Sequence, residues 1–231
     1  MSLFALVHGG AHGGWCWELL VPELEKRGHS AVAPDLPIED DAAGARENAK
    51  VVADAIPPGE NDVVVVGHSL GGLTVPLVAQ VRPVRRMVFL AAQVPALGMS
   101  NLEYLATEPE AVVFSGAENL AQGEMPAEDD QLVGWERARA GFYHDVDEQV
   151  ARHAWERFRR QSFTVMTERT PLEAWPDVPS TYIVATEDRA VGTEWSRRRA
   201  KEIGADLIEL AGSHSPFYAR PAELADILVG L

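Results

Sequence analysis

The fold is decided by the stretch DVVVVGHSLGG at residues 62–72. Its run of four valines, Val63–Val66, is strongly apolar, and β-branched residues in such a run favour a buried strand. The glycine-rich segment Gly67–Gly72 follows at once, and apolar residues at helical spacing continue to Val81. The order strand, tight turn, helix is typical of one unit of a parallel α/β sheet.

The same alternation of strand and helix signals extends outward from this stretch. We predict six parallel strands, at Leu3–Val7, Ala31–Ala33, Asp62–Val66, Arg86–Ala91, Thr181–Ala185 and Asp206–Leu210. Helices are predicted between them, from Trp17 to Gly28, from Ala45 to Ile56, and at Leu70–Val81, Thr193–Ile203 and Pro221–Leu228. Apolar strands separated by helices indicate a mainly parallel sheet with helices on both faces. Pro76 lies inside one predicted helix, where a kink is expected because proline clashes with the carbonyl of Gly72.

Residues 94–175 break the alternation. They contain no convincing strand and many aromatic and acidic residues, and helices are predicted at Leu132–Gly141 and Glu148–Gln161. A structureless loop of roughly 80 residues is improbable in a compact domain. We therefore predict one folding domain, in which an α/β core at 1–93 and 176–231 carries a helical cap insertion at 94–175. The cap is expected at the C-terminal edge of the sheet, where α/β folds place their sites.

The charge balance narrows the possible partners. The 231 residues include 20 Lys and Arg against 35 Asp and Glu, a net charge of −15. Such a surface repels phosphate backbones and anionic lipid head groups, so neither nucleic acid nor a membrane is expected as a partner. Residues 94–175 hold 15 acids and 7 bases, a balance of −8. If this charge faces the entrance of a site, it favours neutral substrates.

Cysteine content and hydropathy indicate the cellular compartment in which the protein resides. Cys16 is the single cysteine, which excludes an intramolecular disulfide and makes a cysteine-based zinc site implausible. No apolar run approaches the ~20 residues of a membrane span. The N-terminus lacks the basic region of a signal peptide. We predict a soluble cytoplasmic protein, and the sequence is compatible with a monomer or a homodimer.

Ser69 is the candidate nucleophile. It occupies the central position of a GxSxG pattern that lies between a strand and a helix, the context in which such a serine is exposed on a strained turn. Gly67 and Gly71 leave room for neighbouring backbone, and the helix start at Leu70 supplies N–H groups where negative charge develops. The alternative is a glycine-rich turn with an incidental serine. The context and the additional Gly72 favour the nucleophile.

A serine hydroxyl needs a base, and in this fold class the partners follow in the order serine, acid, histidine. His214 lies four residues past the last predicted strand, and Asp188 lies just past the strand before it. Both loops therefore lie at the same edge of the sheet as Ser69. Competing residues are Glu187 and, more distantly, Asp177 for the acid, while the cap histidines His144 and His153 are expected at the surface.

The segment His8-Gly9-Gly10 follows the first strand, where this fold class places its second oxyanion-hole element. We predict that the backbone N–H groups of Gly10 and Leu70 stabilise the oxyanion. A plain strand–helix turn is the alternative interpretation. His8 and His68 are expected to support these loops by hydrogen bonds rather than to act as bases.

Taken together, these motifs resemble those of the α/β-hydrolases. More narrowly, the chain is similar to the group that contains plant salicylate-type methylesterases, the related hydroxynitrile lyases and their bacterial relatives. The resemblance rests on the segments LVHGG at 6–10, HGGW at 12–15, GHSLGG at 67–72, TEDR at 186–189 and GSH at 212–214. It implies a triad of Ser69, Asp188 and His214, oxyanion donors at Gly10 and Leu70, and a cap that shapes the pocket. No metal or organic cofactor is implied.

Three positions separate the two chemistries of this group. The lyases typically carry a threonine in the first loop, a glutamate before the nucleophile and a lysine after the catalytic histidine. This chain has Gly9, His68 and Ser215 there. We therefore predict a serine esterase that cleaves a small, neutral carboxylic ester through an acyl-enzyme. The alternatives are a lyase or carbon–carbon bond hydrolase with the same triad, or a non-catalytic receptor for a small ligand.

Overall fold

A computed structural model describes residues 1–114 and 133–231. Its centre is a sheet of six parallel strands in the order β2-β1-β3-β4-β5-β6. The strands are β1 (Leu3–Val7), β2 (Ser30–Val32), β3 (Val63–His68), β4 (Arg86–Leu90), β5 (Ser180–Ala185) and β6 (Asp206–Leu210). The predicted parallel α/β sheet is thus confirmed, and each predicted strand end lies within two residues of the observed one.

The helices cover both faces of the sheet. They are α1 (Leu20–Lys26), α2 (Ala45–Ala55), α3 (Val75–Val81), α4 (Asn101–Thr107), α5 (Trp135–Phe142), α6 (Glu148–Glu156), α7 (Thr164–Thr167), α8 (Thr193–Glu202), α9 (Pro216–Ala219) and α10 (Pro221–Val229), with 3₁₀ turns at Gly14–Trp17, Ser69–Leu73 and Pro109–Ala111. Alternate residues of β1 point to opposite faces. Ala5 and Val7 pack with α2, α3 and α8, whereas Phe4 and Leu6 pack with α1 and α10.

The parallel register brings the loops that matter to one edge of the sheet. Val7 of β1 lies opposite Gly67 of β3, and Ala185 of β5 lies opposite Leu210 of β6. The segments that follow β1, β3, β5 and β6 therefore all leave the sheet at its C-terminal edge. Those segments carry the residues that the sequence singles out.

The predicted kink at Pro76 is wrong. Instead of one helix over Leu70–Val81, the chain forms the 3₁₀ turn Ser69–Leu73 and then begins α3 at Val75. Pro76 is the second residue of α3, where the backbone N–H that proline lacks would have no acceptor within the helix. The proline therefore helps to begin a helix here rather than to bend one.

The described part of residues 94–175 contains helices joined by loops and no strand. It contains α4–α7 and makes only the isolated bridges Ser100 to Arg169 and Val112 to Val191. The predicted helix Leu132–Gly141 is found as α5, and its predicted first residue, Leu132, lies outside the described residues. The predicted helix Glu148–Gln161 ends earlier, at Glu156, because the residues after it bond to the loop that follows β1.

Sequence reasoning did not predict α4. Its signal is a capping box, in which the Ser100 hydroxyl accepts from the Glu103 N–H and the Glu103 carboxylate accepts from the Ser100 N–H.

We propose that residues 94–175 act as the cap of the site described below. Within the described parts of the chain, no helix is long and apolar enough to cross a membrane.

Candidate active site

Ser69 lies directly after β3 in a strained backbone conformation. Its φ is +52°, in the left-handed region that residues other than glycine rarely adopt. The glycine at position 71 is required by the neighbouring strand, because a Cβ there would lie 2.6 Å from the carbonyl oxygens of Val7 and His8. The GxSxG segment thus packs against the end of β1 and presents Ser69 to a cavity.

Asp188 and His214 form a buried pair at the same edge. The carboxylate oxygen Oδ2 of Asp188 lies 2.8 Å from Nδ1 of His214, and the two side chains are 3% and 2% exposed. The other oxygen, Oδ1, accepts from the N–H groups of Ala190 at 2.7 Å and Val191 at 3.0 Å. The loop after β5 therefore holds the carboxylate in place. Donation from Nδ1 leaves Nε2 of His214 as the nitrogen that can accept a proton.

The competing residues lie elsewhere. Glu187 is exposed, and its backbone carbonyl accepts from Nε2 of His144 at 3.0 Å. Asp177 is exposed and precedes β5, so it lies toward the opposite edge of the sheet. His153 is exposed beside Arg157 at 3.2 Å. The structure thus brings Asp188, and not its neighbour, to His214.

The loops after β1 and β3 each provide one candidate oxyanion donor, Gly10 and Leu70. Gly10 and Leu70 line the same cavity as Ser69, and a Cβ at Gly10 would lie 2.9 Å from Cδ1 of Leu70. Leu70 is the second residue of its 3₁₀ turn, so its N–H has no acceptor within that turn. The close packing at Gly10 explains why that position has no side chain.

Gln161, which the sequence analysis did not single out, positions the loop after β1. Ala11 has a φ of +60°, and its N–H donates to Oε1 of Gln161 at 3.2 Å while its carbonyl accepts from the N–H of Arg159 at 2.8 Å. Gln161 is buried, and its Nε2 donates to the carbonyl of Ser162 at 2.6 Å. Both bonds to Ala11 come from the segment after α6. That segment has no periodic pattern from which a sequence argument could have found it.

Two histidines beside the site are structural. His8 accepts at Nε2 from the N–H of Leu36 at 3.0 Å, so its proton lies on Nδ1, which is 2.9 Å from the carbonyl oxygen of Gly9. His68 donates from Nε2 to the carbonyl of His214 at 2.9 Å. Burial lowers the pKa of His8 to about 4 and holds that of His68 well below its usual value. Both rings therefore stay neutral and brace the two loops, as expected.

His12 links the loop after β1 to the proposed cap. Its Nδ1 donates to the carbonyl of Gly10 at 2.7 Å, so its Nε2, 2.6 Å from the hydroxyl of Tyr143, accepts from that group. Both side chains are buried, and burial lowers the pKa of His12 to about 3. Tyr143 was not singled out by the sequence. Its contact with His12 spans 131 positions of the chain.

These neutral histidines make stability depend on pH. The unfolded chain takes up protons on them near pH 6.5, whereas folded His8 and His12 stay neutral down to about pH 4 and 3. The unfolded state then binds more protons, so the free energy of unfolding should fall as the pH falls below 6.5, by up to about 1.4 kcal/mol per pH unit for each histidine. Above pH 6.5 both states are neutral at these rings and the contribution is flat.

Urea titrations at pH 7, 6, 5 and 4 measure this dependence. Carboxylates also contribute to it, so the informative comparison is with His12→Gln, which cannot be protonated. Between pH 6.5 and 4, the free energy of unfolding of the variant should fall less steeply than that of the wild type. The difference in slope should equal the contribution of one histidine. Equal slopes for the two proteins would show that His12 is protonated in the folded state.

The cavity beside Ser69 has a volume of about 180 Å³ and is lined mainly by apolar side chains. Its lining comprises Gly10, Ala11, His12, His68, Ser69, Leu70, Gln93, Asn101, Leu105, Val112, Phe114, Val133, Arg137, Phe142, Gln161, Phe163, Met166, Ala190, Val191 and His214. Ser69 and His214 thus meet at one cavity of a size that suits a small ligand. Among residues 1–114 and 133–231, no cluster of three or more His, Cys, Asp or Glu residues could hold a metal ion.

Comparisons with known proteins agree with this architecture. The model of the alpha/beta hydrolase family matches residues 4–227. The chain is 32% identical over 267 aligned residues to esterase PIR7B of Oryza sativa subsp. japonica, covering 98% of this chain and 94% of that protein. It is 27% identical to the pyrethroid hydrolase of Sphingobium wenxiniae, with 96% and 85% covered. The crystal structure of an extracellular alpha/beta-hydrolase from a Paenibacillus species superposes with a TM-score of 0.81 at 21% identity, covering 100% of this chain and 98% of that one.

Proposed function

The chain belongs to the alpha/beta hydrolase family, and we propose that it cleaves a small carboxylic ester through Ser69, His214 and Asp188. Its relatives include proteins named as esterases, which supports a carboxylic ester hydrolase. The observation that carries the assignment of residues is the buried Asp188–His214 pair, whose histidine lines one cavity with the strained Ser69. This arrangement has the order and the roles of a serine hydrolase triad.

The proposed reaction uses each group at a stated atom. Oγ of Ser69 attacks the ester carbonyl while Nε2 of His214 takes its proton, and Asp188 holds the ring and stabilises its positive charge. The N–H groups of Gly10 and Leu70 donate to the oxyanion of the tetrahedral intermediate. The imidazolium then protonates the leaving alcohol, which leaves an acyl-Ser69. Water hydrolyses this ester by the same route, and the proton returns through His214.

The walls of the cavity suggest the kind of ester. Leu105, Val112, Phe163 and Met166 come from the proposed cap and make the surface around Ser69 largely apolar. Its small volume fits a short acyl or alcohol group. If the acidic balance of residues 94–175 faces the entrance of the cavity, it favours a neutral ester over an anionic one. A location in the cytoplasm and the absence of nucleic-acid partners stay predictions from composition.

A substrate comparison tests the proposed chemistry against the lyase alternative. The purified protein is assayed with 4-nitrophenyl butyrate, by release of nitrophenolate, and with mandelonitrile, by release of cyanide. We expect hydrolysis of the ester and no cyanide release above the uncatalysed rate, because Gly9 and Ser215 stand where the lyases carry threonine and lysine. Cyanide release without ester hydrolysis would replace the proposed function by that of a lyase.

A further inference from the structure

Two buried amide side chains interrupt the apolar wall of the cavity. Gln93, which follows β4, and Asn101, which begins α4, both line the cavity and are only 3% and 5% exposed. Oε1 of Gln93 and both side-chain polar atoms of Asn101, Oδ1 and Nδ2, are buried and have no hydrogen-bond partner among the described residues. Three side-chain amide atoms of cavity-lining residues thus have no partner among the described residues, and Nδ1 of His68, which also lines the cavity, is the fourth such atom.

This differs from the third amide of the cavity. Both ends of the Gln161 side chain form hydrogen bonds within the protein. Its Oε1 accepts from the N–H of Ala11, and its Nε2 donates to the carbonyl of Ser162. A buried polar group without a partner costs free energy, and an apolar side chain of the same shape would avoid that cost. Gln93 and Asn101 therefore contribute little to the folded state through hydrogen bonds. Their chemistry suits a partner that enters the cavity.

The backbone places Gln93 next to the nucleophile, and Asn101 lines the same cavity. The N–H of Gln93 donates to the carbonyl of Ser69 at 3.0 Å, and a Cβ at Gly72 would lie 2.1 Å from the carbonyl oxygen of Gln93. Asn101 lies one helical turn before Leu105, which lines the same cavity. A small ester bound at Ser69 thus lies in the same cavity as both amides.

We propose that Gln93 and Asn101 form a polar subsite that binds an uncharged hydroxyl group of the ester substrate. Two of the unpartnered atoms are carbonyl oxygens and one is an amide nitrogen, so their partner must both donate and accept. A hydroxyl group does both, since it can donate its one O–H to one of the oxygens and accept from the nitrogen. A carboxylate only accepts and would leave the two oxygens unpaired, and an alkyl group would leave all three unpaired. The subsite rests on the proposed function and narrows it to hydroxyl-bearing esters.

Three small esters test the subsite: ethyl butyrate, ethyl 3-hydroxybutyrate and 2-hydroxyethyl butyrate, each followed by acid release in a pH-stat. The second carries its hydroxyl on the acyl part and the third on the alcohol. The wild type should hydrolyse at least one hydroxylated ester with a kcat/KM about tenfold or more above that of ethyl butyrate. Gln93→Met and Asn101→Leu should each reduce that preference, measured as the ratio of kcat/KM for the hydroxylated ester to kcat/KM for ethyl butyrate.

Asn48→Leu is the matched control. Asn48 is also 5% exposed with an unpartnered Oδ1, but it belongs to α2 and does not line the cavity. Its variant should keep the preference for the hydroxylated ester. The melting temperature of Asn101→Leu should not fall, because no hydrogen bond within the protein is lost.

The outcomes separate the two proposals. Equal kcat/KM values for the three esters in the wild type, or a preference that survives in both variants, would overturn the subsite and leave the esterase assignment standing. Hydrolysis of none of the three esters by a protein that cleaves 4-nitrophenyl butyrate would overturn the subsite alone, and failure to cleave 4-nitrophenyl butyrate as well would overturn both. A preference lost equally in Asn48→Leu would also overturn the subsite, since it would then reflect general packing rather than contact in the cavity.

Discussion

Replacing Ser69 by alanine should lower kcat for ester hydrolysis by about 10⁴- to 10⁶-fold, the range found when a serine nucleophile is removed from a triad. Without Oγ no acyl-enzyme forms, and the activity that remains comes from the oxyanion donors and binding alone. The fold should survive, since alanine adds no atom to the packed turn between Gly67 and Gly71. Steady-state rates with 4-nitrophenyl butyrate measure the loss.

Ser215→Ala is the control for this variant. Ser215 is also buried and lies next to His214, but its hydroxyl has no partner among the described residues. Its removal should therefore leave the rate nearly unchanged. A Ser69→Ala protein as active as the wild type, with both proteins folded by circular dichroism, would assign the activity to another residue.

Asp188→Asn should lower kcat by about 10⁴-fold. The asparagine oxygen can keep the bonds from the N–H groups of Ala190 and Val191, which leaves its amide nitrogen toward His214. That nitrogen donates, so Nδ1 of His214 must accept and the ring proton moves to Nε2. A protonated Nε2 cannot take the proton of Ser69. The positions of residue 188 and His214 would persist, but His214 could no longer act as the base.

Glu187→Gln provides a matched control, because it makes the same chemical change one residue away on an exposed side chain. Its kcat should stay close to that of the wild type. A large loss in Glu187→Gln together with full activity in Asp188→Asn would make Glu187 the acid and contradict the geometry of the loop after β5.

Much of this molecule could be predicted because its signals are local. Each strand of the core is a short apolar run bounded by turn residues, and parallel strands place the segments that follow them at one edge. The pairing of Asp188 with His214 follows from this rule, since both residues come shortly after neighbouring strands. The family resemblance pointed to the same residues before any contact was known, and the family itself is confirmed.

The remainder depends on contacts between distant parts of the chain. Ala11 and Gln161 lie 150 positions apart, and His12 and Tyr143 lie 131 apart, so no local pattern links them. Gln161 follows a helix that ends five residues earlier than its periodicity suggests. The earlier end of this helix, α6, is favourable because the residues that follow it pack on the loop after β1. The amides of Gln93 and Asn101 are likewise ordinary polar residues until the cavity is formed around them.

The central claim is that Ser69 is a nucleophile activated by His214. Labelling with a fluorophosphonate, followed by mass spectrometry of the intact protein and of its peptides, tests it most directly. We predict one phosphonyl group per chain, on Ser69, with no label on Ser69→Ala and much slower labelling of His214→Ala. A wild-type protein that stays unlabelled, or a label that persists in Ser69→Ala, would contradict the account.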